Sequence, residues 1–146
     1  MIRKDFIVRK VELIQSELAH LNAYASFSFD EIAADYVKQA VIERILERVI
    51  NRAIDINQHL LSATQPDGSI APTGYRDTFT ALVRLGIYPA EFAEQIAKSI
   101  GTRNKLVHEY DAVDERQIYG SIKDCLTDYT TYCDYILKFL ETETTH

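Results

Sequence analysis

The chain has 146 residues, 47% apolar and 26% charged, with a net charge of −6. This suits one soluble globular domain over residues 1–146 with a single core, and it excludes a general nucleic-acid binder, whose affinity rests on many phosphate contacts. Cys125 and Cys133 lie eight apart, ~12 Å along one straight helix and beyond disulfide reach; with no secretory leader layout and no apolar run of membrane-spanning length, the reading is a reduced cytoplasmic protein away from membranes.

Helical periodicity dominates from the start. Ile7, Val11, Ile14, Leu18, Leu21 and Ala25 step by four and three, one apolar stripe on a first helix. Ser28-x-x-Glu31 has capping-box form, with Phe27 and Ile32 placed as a hydrophobic staple. It predicts the start of a long second helix carrying Ile42, Leu46, Val49, Ala53, Ile56 and Leu60 on one face. The stretch from Gln65 to Gly74 reads as the one substantial loop. A short third helix is expected over about Tyr75 to Leu85, stopped by Gly86. Pro89 suits the first turn of a fourth helix, with Gly101 a weak point along it. Asp114, three before Gln117, is the expected N-cap of a last helix whose stripe runs through Tyr119, Ile122, Leu126, Tyr129, Cys133, Ile136 and Leu140. Residues 141–146 are expected to fray. No segment alternates like a strand, so the fold class is all-α: an up-and-down bundle of four main helices plus a short extra one.

The segment Arg103-Asn104-Lys105-Leu106-Val107-His108-Glu109-Tyr110 carries the chemistry. Histidine exchanges protons near neutrality, and the planar fork of arginine fits phosphate. Together they suit metal-free phosphodiester cleavage. On a continuous helix Asn104 and His108 share a face, whereas Arg103 and His108 stand about 140° apart. A two-fold dimer bringing two copies of the motif over one cleft would reconcile that separation.

The R-N-x-x-x-H-x-Y string resembles the motif of HEPN-domain ribonucleases, specifically the HepT-like toxins of HEPN/MNT toxin–antitoxin pairs. Its flanks fit in order: Tyr75 to Phe79, Leu82 to Ile87 and Pro89 to Phe92 upstream, then Tyr110 to Asp114 and Tyr119 downstream. The resemblance covers about a third of the chain. It implies a HEPN-like bundle and a homodimeric endoribonuclease of a type VII-like system acting on RNA, with transfer RNA a target class suggested by family behaviour. It makes His108 the general acid/base, Arg103 the stabiliser of phosphoryl charge, and Asn104 the group that orients the imidazole or the phosphate. Attack by the ribose 2′-OH would leave a 2′,3′-cyclic phosphate and a 5′-hydroxyl. It further implies that an MNT-type nucleotidyltransferase antitoxin neutralises the toxin by adenylylating Tyr110, a residue that otherwise reads as a core tyrosine with a wet hydroxyl. The Tyr129–Tyr135 cluster offers other phenols.

Lys105 and Lys98 are the nearest basic residues for steering RNA phosphate. Arg44, Arg48 and Arg52 read as a solvated face paired with Glu47 and Asp55 at helical spacing, with an RNA-contacting stripe as the alternative. Glu17-x-x-His20 matches a di-iron half-motif, but its counterpart Glu143-x-x-His146 falls in the tail. Leu18 lies on the core stripe, so Glu17 and His20 read as flanking it in solvent, and His20 and His59 as surface residues. With no Gly-rich phosphate loop, nucleophile elbow or zinc spacing, no cofactor or metal is expected. A non-catalytic HEPN module binding nucleotide or a nucleotidyltransferase is the competing reading, followed by a helical interaction protein.

Overall fold

A computed structural model describes residues 1–65, 67–68, 72–108 and 114–144, with the side chains of His108 and Thr144 outside that description. Its helices are α1 (Lys4–Asn22), α2 (Phe29–Ala33), α3 (Tyr36–Thr64), α4 (Tyr75–Ala81), α5 (Ala90–Ala97), α6 (Ser99–His108) and α7 (Glu115–Thr144), with a 3-10 turn over Leu82–Leu85. No strand occurs among the described residues. The chain is an all-α bundle.

Cross-helix contacts fix the directions. Lys10 meets Asp55 at 3.0 Å, Glu17 meets Arg48 at 3.3 Å, and the N-terminus bonds Ala63 O, so α1 runs antiparallel to α3. Tyr132 reaches Ala53 and Asn57, and pocket-lining Glu43 and Glu115 lie together near the start of both helices, so α7 runs parallel to α3. The return leg is α5 with α6. The expected α1 stripe is buried from Ile7 to Leu21, and the α3 and α7 stripes meet it in one core.

Three boundaries differ from the sequence reading. The capping box forms, with Ser28 Oγ accepting from Glu31 N–H at 3.1 Å and Glu31 from Ser28 N–H at 3.2 Å. It opens only the five-residue α2. Asp35 then acts as a second N-cap, accepting from the N–H groups of Val37 and Lys38 at 3.0 and 3.2 Å, and so restarts the helix as α3. The Gln39 amide donates to the carbonyls of Ile32 and Ala33, closing the end of α2. The fourth helix breaks at Lys98 and not at Gly101. Ser99 Oγ bonds the Ile96 carbonyl at 2.7 Å and lies 2.7 Å from Tyr129 Oη, so a side chain displaces the helical ladder there. Pro89 occupies the N-cap of α5, one residue before the first turn. Gly86 does stop its helix, in the left-handed region at φ 75°, and Asp114 caps α7 by accepting from Arg116 N–H at 2.9 Å.

A polar knot ties α3, α4 and α7. Asn57 is fully buried; its amide donates to Thr78 Oγ1 at 3.1 Å, and its carbonyl oxygen lies 2.5 Å from the Tyr132 hydroxyl. Tyr132→Phe strands that oxygen, an expected cost of about 1–3 kcal/mol. It should appear as a lower urea midpoint with an unchanged m-value. An unaltered midpoint would show that Asn57 finds another donor.

Candidate functional site

Helix α6 is anchored by Ile100, Thr102 and Leu106, all buried, and packs against α3, α5 and α7. Arg103 leaves it toward α3 and α4. Its Nε donates to Asn51 Oδ1 at 3.0 Å, its Nη1 donates to Asn104 Oδ1 at 3.2 Å, and the guanidinium carbon sits 4.9 Å from the Tyr75 ring centroid. Two neutral amides and an aromatic face thus hold the cation. No carboxylate among the described residues pairs with it. A half-buried guanidinium fixed this way keeps its charge for an outside anion, with the fork oriented in advance.

The other arginines contrast with it. Arg44 pairs with Glu47 at 3.5 Å, and Arg48 and Arg52 both reach Glu17, at 3.3 and 3.5 Å. Only Arg44 with Glu47 fits the reading of a solvated face paired at helical spacing; Arg48 and Arg52 pair across to α1, and Asp55 pairs with Lys10. Glu17 differs from its expected solvent-facing place. Its side chain is only 12% exposed, because two guanidinium groups draw it into the α1–α3 interface. His59 differs as well. It is partly buried, its Nε2 accepts from Arg3 N–H at 2.9 Å, and its ring lies 5.2 Å from that of Phe6. Burial, then the positive Arg3 and N-terminus, hold its pKa below the usual value. His59 is a cap for α1, while His20 is exposed.

The structure separates the remaining motif residues. Asn104 is exposed beside Arg103. Lys105 lies about 160° around α6 from Arg103, and Lys98 sits at the break between α5 and α6. They too bond neutral amides: Lys98 to Gln95 at 3.3 Å and Lys105 to Gln117 at 2.6 Å. His108 ends α6, and its side chain and all of Tyr110 lie outside the described residues. Cys125 and Cys133 are free and buried; burial pushes both thiols up, Cys133 to about 12.

Sequence reasoning missed Asn51 and the role of Tyr75. An asparagine in mid-α3 carries no local signal, because its partner is 52 residues away. Tyr75 stood within a recognised stretch, but only the packing of α4 against α3 and α6 puts its ring under a guanidinium. Among the described residues, no helix is long and apolar enough to cross a membrane, and no cluster of three His, Cys, Asp or Glu side chains could hold a metal.

Comparison with known proteins places this geometry. The family described as Ribonuclease HepT-like matches residues 14–136. A tRNA nuclease HepT of Aphanizomenon flos-aquae is 37% identical over 144 residues, covering 97% of this chain and 94% of the relative. An mRNA nuclease HepT of Shewanella oneidensis is 24% identical, covering 90% of this chain and 96% of the relative. The tri-AMPylated Shewanella oneidensis HEPN toxin, solved in complex with MNT antitoxin, superposes with a TM-score of 0.79 at 23% identity, covering 92% of this chain and 98% of its own. That last likeness establishes the HEPN fold.

Proposed function

The chain belongs to the Ribonuclease HepT-like family, and on that premise we propose that it is the metal-independent endoribonuclease toxin of a HEPN/MNT pair, acting in the cytoplasm as a homodimer. The observation that carries this reading is Arg103: a cation held by Asn51, Asn104 and Tyr75 with no carboxylate partner among the described residues, whereas Arg44, Arg48 and Arg52 are paired with carboxylates. Such a group stabilises the charge that builds on phosphoryl oxygens as the ribose 2′-OH attacks. His108, five residues on, would exchange the protons of the 2′-OH and the leaving 5′-oxygen. Asn104 bonds the guanidinium and so acts first as an orienting group for Arg103.

Transfer RNA is the proposed substrate class, following the relative with the higher identity, a tRNA nuclease. A nucleotidyltransferase antitoxin is the proposed partner, with Tyr110 its target. The support is a toxin of this fold that is AMPylated and complexed with an MNT antitoxin. Lys98 and Lys105 are proposed to steer RNA along the α7 side of α6, where Lys105 bonds the neutral Gln117 amide and Lys98 lies near both the Gln95 amide and Asp128.

The decisive experiment uses transfer RNA in EDTA. Cleavage should persist and leave a 2′,3′-cyclic phosphate, and a single 2′-deoxy substitution at the scissile nucleotide should abolish it. Strict dependence on a divalent cation, or cutting at the deoxy position, would overturn the mechanism.

A further inference from the structure

Arg103 and His108 leave α6 about 140° apart, yet the Arg103 guanidinium turns back to Asn104, which shares the face of position 108. A second guanidinium approaches that face. The Arg76 guanidinium, from the first turn of α4, lies over α6 at Gly101: a Cβ placed on that glycine would meet Arg76 Nη2 at 3.6 Å. By the 100° step of the helix, Gly101, Asn104 and position 108 share one face, spread over about 60°. Arg76 therefore reaches, at Gly101, the same face of α6 on which Asn104 receives the Arg103 guanidinium.

Its charge is also uncancelled. Arg76 is exposed and makes no ion pair among the described residues. The neighbouring acid, Asp77, is turned away: it accepts from the Thr73 N–H at 3.1 Å and from the Thr73 hydroxyl, closing the entry to α4. The adjacent Tyr75 carries Arg103 on its ring. Consecutive residues of α4 thus meet the motif helix, one holding the motif arginine and the next contributing a second guanidinium.

We propose that Arg76 is a second phosphate-binding residue of the ribonuclease site, gripping an RNA phosphate on the Gly101–Asn104–His108 face of α6 while Arg103 holds its neighbour. This rests on the ribonuclease reading and extends it to a residue outside the R-N-x-x-x-H-x-Y string. Gly101 fits the same picture. Its bare surface lets the guanidinium lie close to the helix, and a bulky side chain there would push Arg76 away from it.

The test measures binding of a 2′-O-methylated, uncleavable RNA across a salt series, beside kcat/KM on cleavable RNA. Removing one phosphate contact should flatten the slope of log affinity against log salt by about 0.7 for a single strand. Arg76→Ala is expected to show that flattening, together with a drop in kcat/KM of about tenfold or more. Arg76→Lys should keep the slope but recover only part of kcat/KM, because a point charge replaces the fork. Gly101→Leu should follow Arg76→Ala. Arg44→Ala, which breaks only the pair with Glu47, serves as the control with an unchanged slope. A folded Arg76→Ala protein with wild-type slope and kcat/KM would overturn the proposal, as would a loss confined to thermal stability, the mark of simple packing. Wild-type protein that neither binds nor cuts RNA would instead refute the ribonuclease reading beneath it.

Discussion

His108→Ala and Arg103→Ala should each lower RNA cleavage by about 10²-fold or more, the scale of losing a general acid/base or a charge-stabilising donor. The two losses should differ in kind. Without His108, RNA affinity should hold and kcat alone should fall. Without Arg103, affinity and its salt slope should drop too, and Arg103→Lys should recover little, because the Asn51 and Asn104 bonds use the planar fork. Asn51→Ala is the milder variant: the cation remains but loses its 3.0 Å tether, so a smaller reduction is expected. If the two groups of one cleft come from different subunits, mixing Arg103→Ala chains with His108→Ala chains should return part of the cleavage, through mixed dimers with one intact cleft. A correctly folded His108→Ala protein with full activity would remove His108 from the mechanism. A fully active monomer at working concentration would remove the shared cleft.

The long stripes were legible in the sequence because burial follows a period. Each residue from Ile7 to Leu21 on α1 and from Ile42 to Leu60 on α3 reports its face by spacing alone. Helix breaks were harder, because they arise from competition. Asp35 outbids the continuation of α2, and Ser99 takes the Ile96 carbonyl with help from Tyr129, 30 residues away. The same distinction holds at the site. Arg103, Asn104 and His108 stand out as a local string, whereas Asn51, Tyr75 and Arg76 matter only after α3 and α4 have packed on α6. The sequence also left the charge balance open. It offered several arginines, and only tertiary pairing of Arg48 and Arg52 with Glu17 separates those two from Arg103.

Co-expression with the cognate nucleotidyltransferase and ATP should add one or more AMP masses to Tyr110 and abolish cleavage. Each AMP brings a phosphodiester carrying about −1, and it would sit two residues beyond His108. There it would repel RNA phosphate, block it sterically and offer a rival anion to Arg103. The packing narrows the competing targets. Tyr129 and Tyr132 have no exposed surface, so no transferase can reach their phenols without unfolding the core. Tyr36, at 81% exposed, and Tyr75, at 40%, are the most exposed alternatives among the described residues, with Tyr24, Tyr119 and Tyr135 partly buried, and peptide mass mapping separates all five from Tyr110. Tyr110→Phe should resist modification and stay toxic in the presence of the partner. Inhibition with Tyr110 unmodified would mean that the antitoxin acts by covering the cleft. AMP on Tyr75 would move the control point to the ring beneath Arg103, where modification would disturb the guanidinium directly.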